Sequence, residues 1–171
     1  MSPLRHQRKS CRAGSYRRAV LALAISVQML CGGMASAGVN TTERVVIDWR
    51  SGLAINGYDP VAYFVDGVPR QGRPAFEYVY AEATWQFRNI GNRDAFAAHP
   101  EVYMPQFGGY DPVHAGQGRA VAGNPMLWLI LSNRLYLFYD AHTRANFAAD
   151  PYRYLEAAKR KWPGILRSLV P

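Results

Sequence analysis

Gly57-Tyr58-Asp59-Pro60-Val61 returns unchanged as Gly109-Tyr110-Asp111-Pro112-Val113, 52 residues further along the chain. A longer match follows at almost the same offset. Trp85, Phe87, Arg93, Phe96, Ala97, Ala98, Pro100 and Tyr103 are answered 51 residues later by Tyr136, Phe138, Arg144, Phe147, Ala148, Ala149, Pro151 and Tyr154. One deleted residue reconciles the two registers, so the chain reads as two copies of one motif, about 55–107 and 108–163.

Each copy has the same local pattern. Residues 76–80 and 84–88 alternate around a short turn at Ala81-Glu82, a hairpin signal. Residues 127–131 and 135–139 flank Ser132-Asn133-Arg134 in the same way, and their near-continuous apolar character predicts the more deeply buried hairpin of the two. A helix is expected after each hairpin, with Asn92 and Thr143 as N-caps and Phe96 or Phe147 facing the sheet. His99-Pro100 and Asp150-Pro151 should break those helices, because the residue before proline avoids the α region while proline itself suits a first turn. The second segments are expected near 101–104 and 152–161. The fold class is therefore α+β: two tandem, pseudo-symmetric units, each a β-hairpin followed by a broken helix, packed as one domain.

The beginning of the chain is of another kind. Arg5, Arg8, Lys9, Arg12, Arg17 and Arg18 precede an apolar run from Ala19 to Cys31, and Ala35-Ser36-Ala37 supplies small residues for cleavage. This is the order of a secretory leader, with cleavage expected between Ala37 and Gly38 and a domain over 38–171. The apolar run is too short to span a bilayer, so no stable membrane span is expected after cleavage. Arg17-Arg18 leaves the twin-arginine route open beside the general one. The expected destination is the periplasm or the exterior.

Removing 1–37 takes six of the 20 Lys and Arg and none of the 12 Asp and Glu, leaving 14 basic residues and a net charge near +2. The basic balance of the whole chain thus belongs to the leader and gives no reason to expect nucleic acid as a partner. Both cysteines, Cys11 and Cys31, go with it. Disulfides, thiolate catalysis and thiolate metal ligands are thereby excluded from the remaining 134 residues.

Gly57-Tyr58-Asp59-Pro60-Val61-Ala62-Tyr63-Phe64, Ala83-Thr84-Trp85-Gln86-Phe87, Asn92-Arg93-Asp94-Ala95-Phe96, Pro100-Glu101-Val102-Tyr103 and Gly108-Gly109-Tyr110 together resemble the exported bacterial branch of the YHS-domain proteins, which includes selenoproteins. The resemblance runs from about Ile55 to Pro163. It implies a small, metal-associated binding module whose usual opening is Asp-Pro-Val-Cys-Gly-Met. At that cysteine position this chain has Ala62 in the first copy and His114 in the second. The exported branch also places cysteine or selenocysteine after Gly-Gly-Tyr, where Asp111 stands here. A carboxylate forms neither a sulfenic acid nor a disulfide, so the resemblance implies the fold and a binding role rather than thiol chemistry.

Candidate ligands are then nitrogen and oxygen donors. Asp111 and His114, three apart, with help from Asp59, are the expected set for a divalent ion such as Zn(II), Cu(II) or Ni(II). His99, His142 and Asp140 are further donors of the same kind. Asp59 and Asp111 have a second reading as caps of the backbone amides that follow Asp-Pro. The glycine-rich 108–119 segment could cradle an anion or simply turn tightly. No phosphate loop, zinc-protease helix or nucleophile elbow is present, and no catalytic residue is expected. The leading expectation is an exported, non-enzymatic YHS-type binding module. An envelope protein-interaction or structural module without an ion is the alternative, and a cofactor-dependent oxidoreductase the third reading.

Overall fold

The computed structural model describes residues 44–169, which belong to one compact unit. The leader, its cleavage site and both cysteines lie outside the described residues. The fold is α+β, with two small antiparallel hairpins and six α-helices among the described residues.

The order is α1 (Ala62–Val65), β1 (Arg73–Tyr80), β2 (Ala83–Phe87), α2 (Ile90–Ala98), α3 (Pro100–Tyr103), α4 (Pro112–Gly116), β3 (Asn124–Leu131), β4 (Arg134–Phe138), α5 (Ala141–Ala149) and α6 (Pro151–Ser168). Short 3-10 turns, Ile55–Gly57 and Gln106–Gly109, precede α1 and α4. In these turns Asn56 and Phe107 share one left-handed conformation, φ 56° and ψ 31°.

Strand β1 pairs with β2 and β3 with β4, and each outer strand is interrupted at the same place. Arg73 faces Phe87 but Glu77 faces Gln86; Asn124 faces Phe138 but Trp128 faces Leu137. The residues between them, Pro74 to Phe76 and Pro125 to Leu127, leave the ladder. Proline cannot donate to a ladder, which makes a bulge its natural place in a strand. The two-residue turns Ala81-Glu82 and Ser132-Asn133 have positive φ throughout, the twist that a tight hairpin requires. Strand β3 is half-buried where β1 is mostly exposed, as the apolar run predicts.

Each hairpin is closed by the phenylalanine of the following helix. Phe96 is wholly buried and stacks against Trp85 and Phe87 at ring-centroid distances of 5.0 and 5.2 Å. Phe147 does the same with Tyr136 and Phe138 at 5.2 and 5.1 Å. The hairpins also share a core, since Leu135 and Leu137 of β4 join Trp85, Phe87, Phe96 and Tyr63 in one buried cluster.

The helix starts differ from the expectation. Asn89 and Asp140, not Asn92 and Thr143, are the N-caps; their side chains accept from the amides of Asn92 and Thr143. Both helices therefore begin a turn earlier, directly where the strands end. His99 and Asp150 do break them, with extended φ near −141° and −149°. The last helix does not stop near Lys161 but runs through Pro163 to Ser168. The reason is its apolar stripe: Leu155, Ala158, Trp162, Ile165 and Leu169 recur at spacings of three and four, and the latter four pack with Val46 and Tyr110. That burial outweighs the hydrogen bond proline removes.

Candidate functional site

The two aspartates of the repeated pentapeptide sit at the start of α1 and α4, where Asp-Pro leads the chain into a short helix. Both are completely buried. An ionised carboxylate has about four lone-pair sites, and burying it requires that they be used.

At Asp59 all four are. Oδ1 accepts from the amides of Val61 and Ala62 at 2.8 and 3.3 Å, and Oδ2 accepts from the amide of Arg88 at 2.9 Å and from the side-chain amide of Asn92 at 2.6 Å. The carboxylate thus ties the entrance of α1 to the end of β2 and to α2.

At Asp111 three are. Oδ1 accepts from the amides of Val113 and His114 at 2.7 and 3.1 Å, and Oδ2 from the amide of Tyr139 at 2.8 Å. The position 51 residues after Asn92 is Thr143, whose hydroxyl and amide are engaged in the capping box of Asp140. Among the described residues nothing comparable to the Asn92 amide reaches Asp111. What faces Oδ2 instead is Nδ1 of His114, at 3.5 Å, too far for a hydrogen bond. Nδ1 is buried and has no hydrogen-bond partner among the described residues. The imidazole, 15% exposed, meets the half-exposed ring of Tyr139 edge-on at 5.8 Å.

The structure therefore brings Asp111 and His114 together and leaves Asp59 elsewhere, closed by its own donors. Among the described residues no three His, Cys, Asp or Glu side chains gather in a group able to hold a metal ion. His99 lies on the surface 3.7 Å from Glu101, and His142 lies on the surface beside Asn146. Asp140 is the cap of α5, and the amide of Thr143 above all holds its carboxyl below the ordinary carboxylate range. Tyr63, sealed in the shared core, donates to the carbonyl of Pro125 at 2.9 Å, and burial pushes its phenol far upward. It is therefore a neutral strut rather than an acid or base.

The glycine-rich segment resolves into α4 and its turns. Gly116 lies against α6, where a Cβ would stand 3.1 Å from that of Ala157, so this glycine serves close helix packing. A cleft of about 300 Å³ opens elsewhere, between Arg44, Met104, Phe107, Trp162 and Leu166, and neither pentapeptide aspartate nor any histidine lines it.

Asn92 and Tyr139 are the site residues that sequence reading missed. The clue for Asn92 was available in the alignment of the two copies, which sets it against threonine at an otherwise matching helix start. No helix among the described residues is long and apolar enough to cross a membrane. Compared with family models, curated proteins and solved structures, the chain finds no match.

Proposed function

We propose that the chain is an exported, non-enzymatic YHS-type binding module, built of two pseudo-symmetric units at about 55–107 and 108–163, and that it binds a divalent metal ion at His114. Several features support the pairing of the units. The left-handed residues Asn56 and Phe107, the bulges after Arg73 and Asn124, and the anchoring of Asp59 and Asp111 recur at offsets of 51 and 52 residues.

The observation that carries the functional reading is where the copies differ. Asp59 is closed by Asn92, which is what a purely structural corner requires. Asp111 is left one donor short, with an imidazole rather than Ala62 beside it and a buried nitrogen unpartnered. A corner kept open in one copy and closed in the other marks where structure has given way to another use. Asp59 accordingly belongs to the fold and not to the ligand set. With one imidazole from the chain, the remaining coordination positions fall to water or a partner, so the ion is held loosely and exchanges.

Equilibrium dialysis of the exported chain against zinc, copper and nickel, followed by elemental analysis, tests this reading. One ion per chain, lost in His114→Ala and kept in His99→Ala, is expected. Uptake that does not depend on His114, or no uptake of any of the three, refutes it. The envelope interaction module would then be the reading to pursue.

A further inference from the structure

The positive charge of the described residues is concentrated in α6. Its stretch 151–168 holds five basic residues and one acidic, whereas the described residues before it, 44–150, hold nine basic against ten acidic. A domain that is near neutral as a whole therefore has one strongly positive face.

The helical repeat fixes where that charge lies. Leu155, Ala158, Trp162 and Ile165 form the stripe that packs inward. At 100° per residue, Arg153, Arg160 and Arg167 point within about 20° of the direction opposite that stripe. Spaced by seven, they follow one another along the crest of the helix at intervals of about 10 Å. Lys159 and Lys161 stand about 100° to either side of the crest. Tyr152, 72% exposed, lies on the Lys159 flank. All five basic residues are exposed.

Helix stability does not account for this arrangement. Arg167 complements the C-terminal end of the helix dipole, but Arg153 sits in the first turn, where a positive charge is unfavourable. Lys159, Arg160 and Lys161 lie more than a turn from either end, beyond the reach of the dipole. A solvated helix gains from acidic and basic residues four apart, and α6 has one such pair, Glu156 and Arg160 at 3.8 Å, so open to water that it contributes little. Arg153 lies over the ring of Tyr154. Among the described residues no carboxylate pairs with Arg153, Lys159, Lys161 or Arg167.

We infer that the crest of α6 is a docking surface for an anionic phospholipid bilayer, on which the exported domain rests reversibly without inserting. The inference uses the export proposed above but not the metal ion. The complementarity is of charge, because the apolar face of the helix is already committed to the core. A bilayer is favoured over an acidic protein by shape: a convex ridge meets a flat array of headgroups along its whole length and offers no recess to a partner's side chain. Tyr152 adds an aromatic ring with a polar tip, suited to the headgroup layer. Each basic residue held at such a surface raises the affinity by about fivefold.

Co-sedimentation tests this with vesicles of phosphatidylglycerol and phosphatidylcholine in equal parts, and with vesicles of phosphatidylcholine alone. The exported chain is expected on the mixed vesicles only, and raising sodium chloride should release it. Replacing the crest, with Arg153→Gln, Arg160→Gln and Arg167→Gln together, should weaken binding by about a hundredfold. Arg50→Gln, Arg70→Gln and Arg73→Gln together remove the same charge from exposed positions outside α6 and should change it by less than about threefold. The salt series on the unsubstituted chain needs no variant to fold. Equal binding to both kinds of vesicle, binding to neither, or equal losses from the two triple variants would overturn the inference. Poly-glutamate bound through the crest arginines by a chain that ignores the vesicles would overturn it too, and would assign the crest to an acidic protein.

Discussion

Asp59→Ala should be among the most damaging single changes in the protein, although Asp59 lies near no chemistry. The substitution removes one acceptor from four donors: the amides of Val61, Ala62 and Arg88 and the side chain of Asn92. Val61 and Ala62 are buried, so their N–H groups cannot turn to water, whereas Arg88 and Asn92 are half-buried and can do so in part. Two orphaned buried donors at about 1–2 kcal/mol each, with a smaller loss for the other two, give about 3–5 kcal/mol. A domain of this size is stable by about 5–15 kcal/mol, so the variant should still fold but with a much lower urea midpoint. Asn92→Ala removes only one of the four donors and should cost about 1 kcal/mol. Because both changes break the same bond, the double variant should lose less than the sum, with a coupling of about 1 kcal/mol. Urea unfolding followed by tryptophan fluorescence measures all three, read as midpoint shifts at constant slope. A loss below about 1 kcal/mol for Asp59→Ala, or strict additivity with Asn92→Ala, would refute the claim that this carboxylate ties α1 to β2 and α2.

Phe96→Ala opens the centre of the first aromatic cluster, where the ring touches Trp85 and Phe87 and is edged by Tyr78 and Tyr80; a loss of about 3–5 kcal/mol in urea unfolding is expected. The turn Ala81-Glu82 holds two non-glycine residues at φ 51° and 63°, so replacing it with Asn-Gly should relieve strain and stabilise the chain by about 1 kcal/mol in the same assay. Asp140 has its carboxyl lowered in the folded chain, so its contribution is present above the unfolded carboxylate value and is lost as pH falls through the folded one. Acid unfolding of Asp140→Asn should therefore depend less steeply on pH below the ordinary carboxylate range, and an unchanged slope would show that the cap is not what the pH dependence reports.

The hairpins were readable because strand alternation and tight turns are local signals, and the break at each X-Pro pair was readable for the same reason. The helix starts were displaced by three residues because Asn89 and Asn92 are both plausible caps in sequence. Only the direction of the bond, from the Asn92 amide to the Asn89 side chain, tells them apart. The end of α6 was expected near Lys161, short of Pro163, a residue that locally disfavours a helix. Its cost is fixed, whereas the benefit of Ile165 and Leu169 depends on Val46 and Tyr110, which lie far away in the chain. Local rules had no access to that term.

The site divides along the same line, and the repeated pentapeptide shows why. An identical pentapeptide in both copies cannot by itself distinguish a structural aspartate from a ligand, since it is present where either is needed. The cap reading of Asp59 and Asp111 was legible from Asp-Pro alone, but the fourth donor to Asp59 comes from Asn92, 33 residues away. Whether a buried carboxylate is complete is therefore a tertiary fact, and it differs between corners that are identical in sequence. Two substitutions make the difference, Ala62 against His114 and Asn92 against Thr143. The first brings an imidazole and the second withdraws an amide. Restoring both at once, with His114→Ala and Thr143→Asn, should turn the second corner into a copy of the first, gaining structure at the place where it loses the imidazole proposed as a ligand.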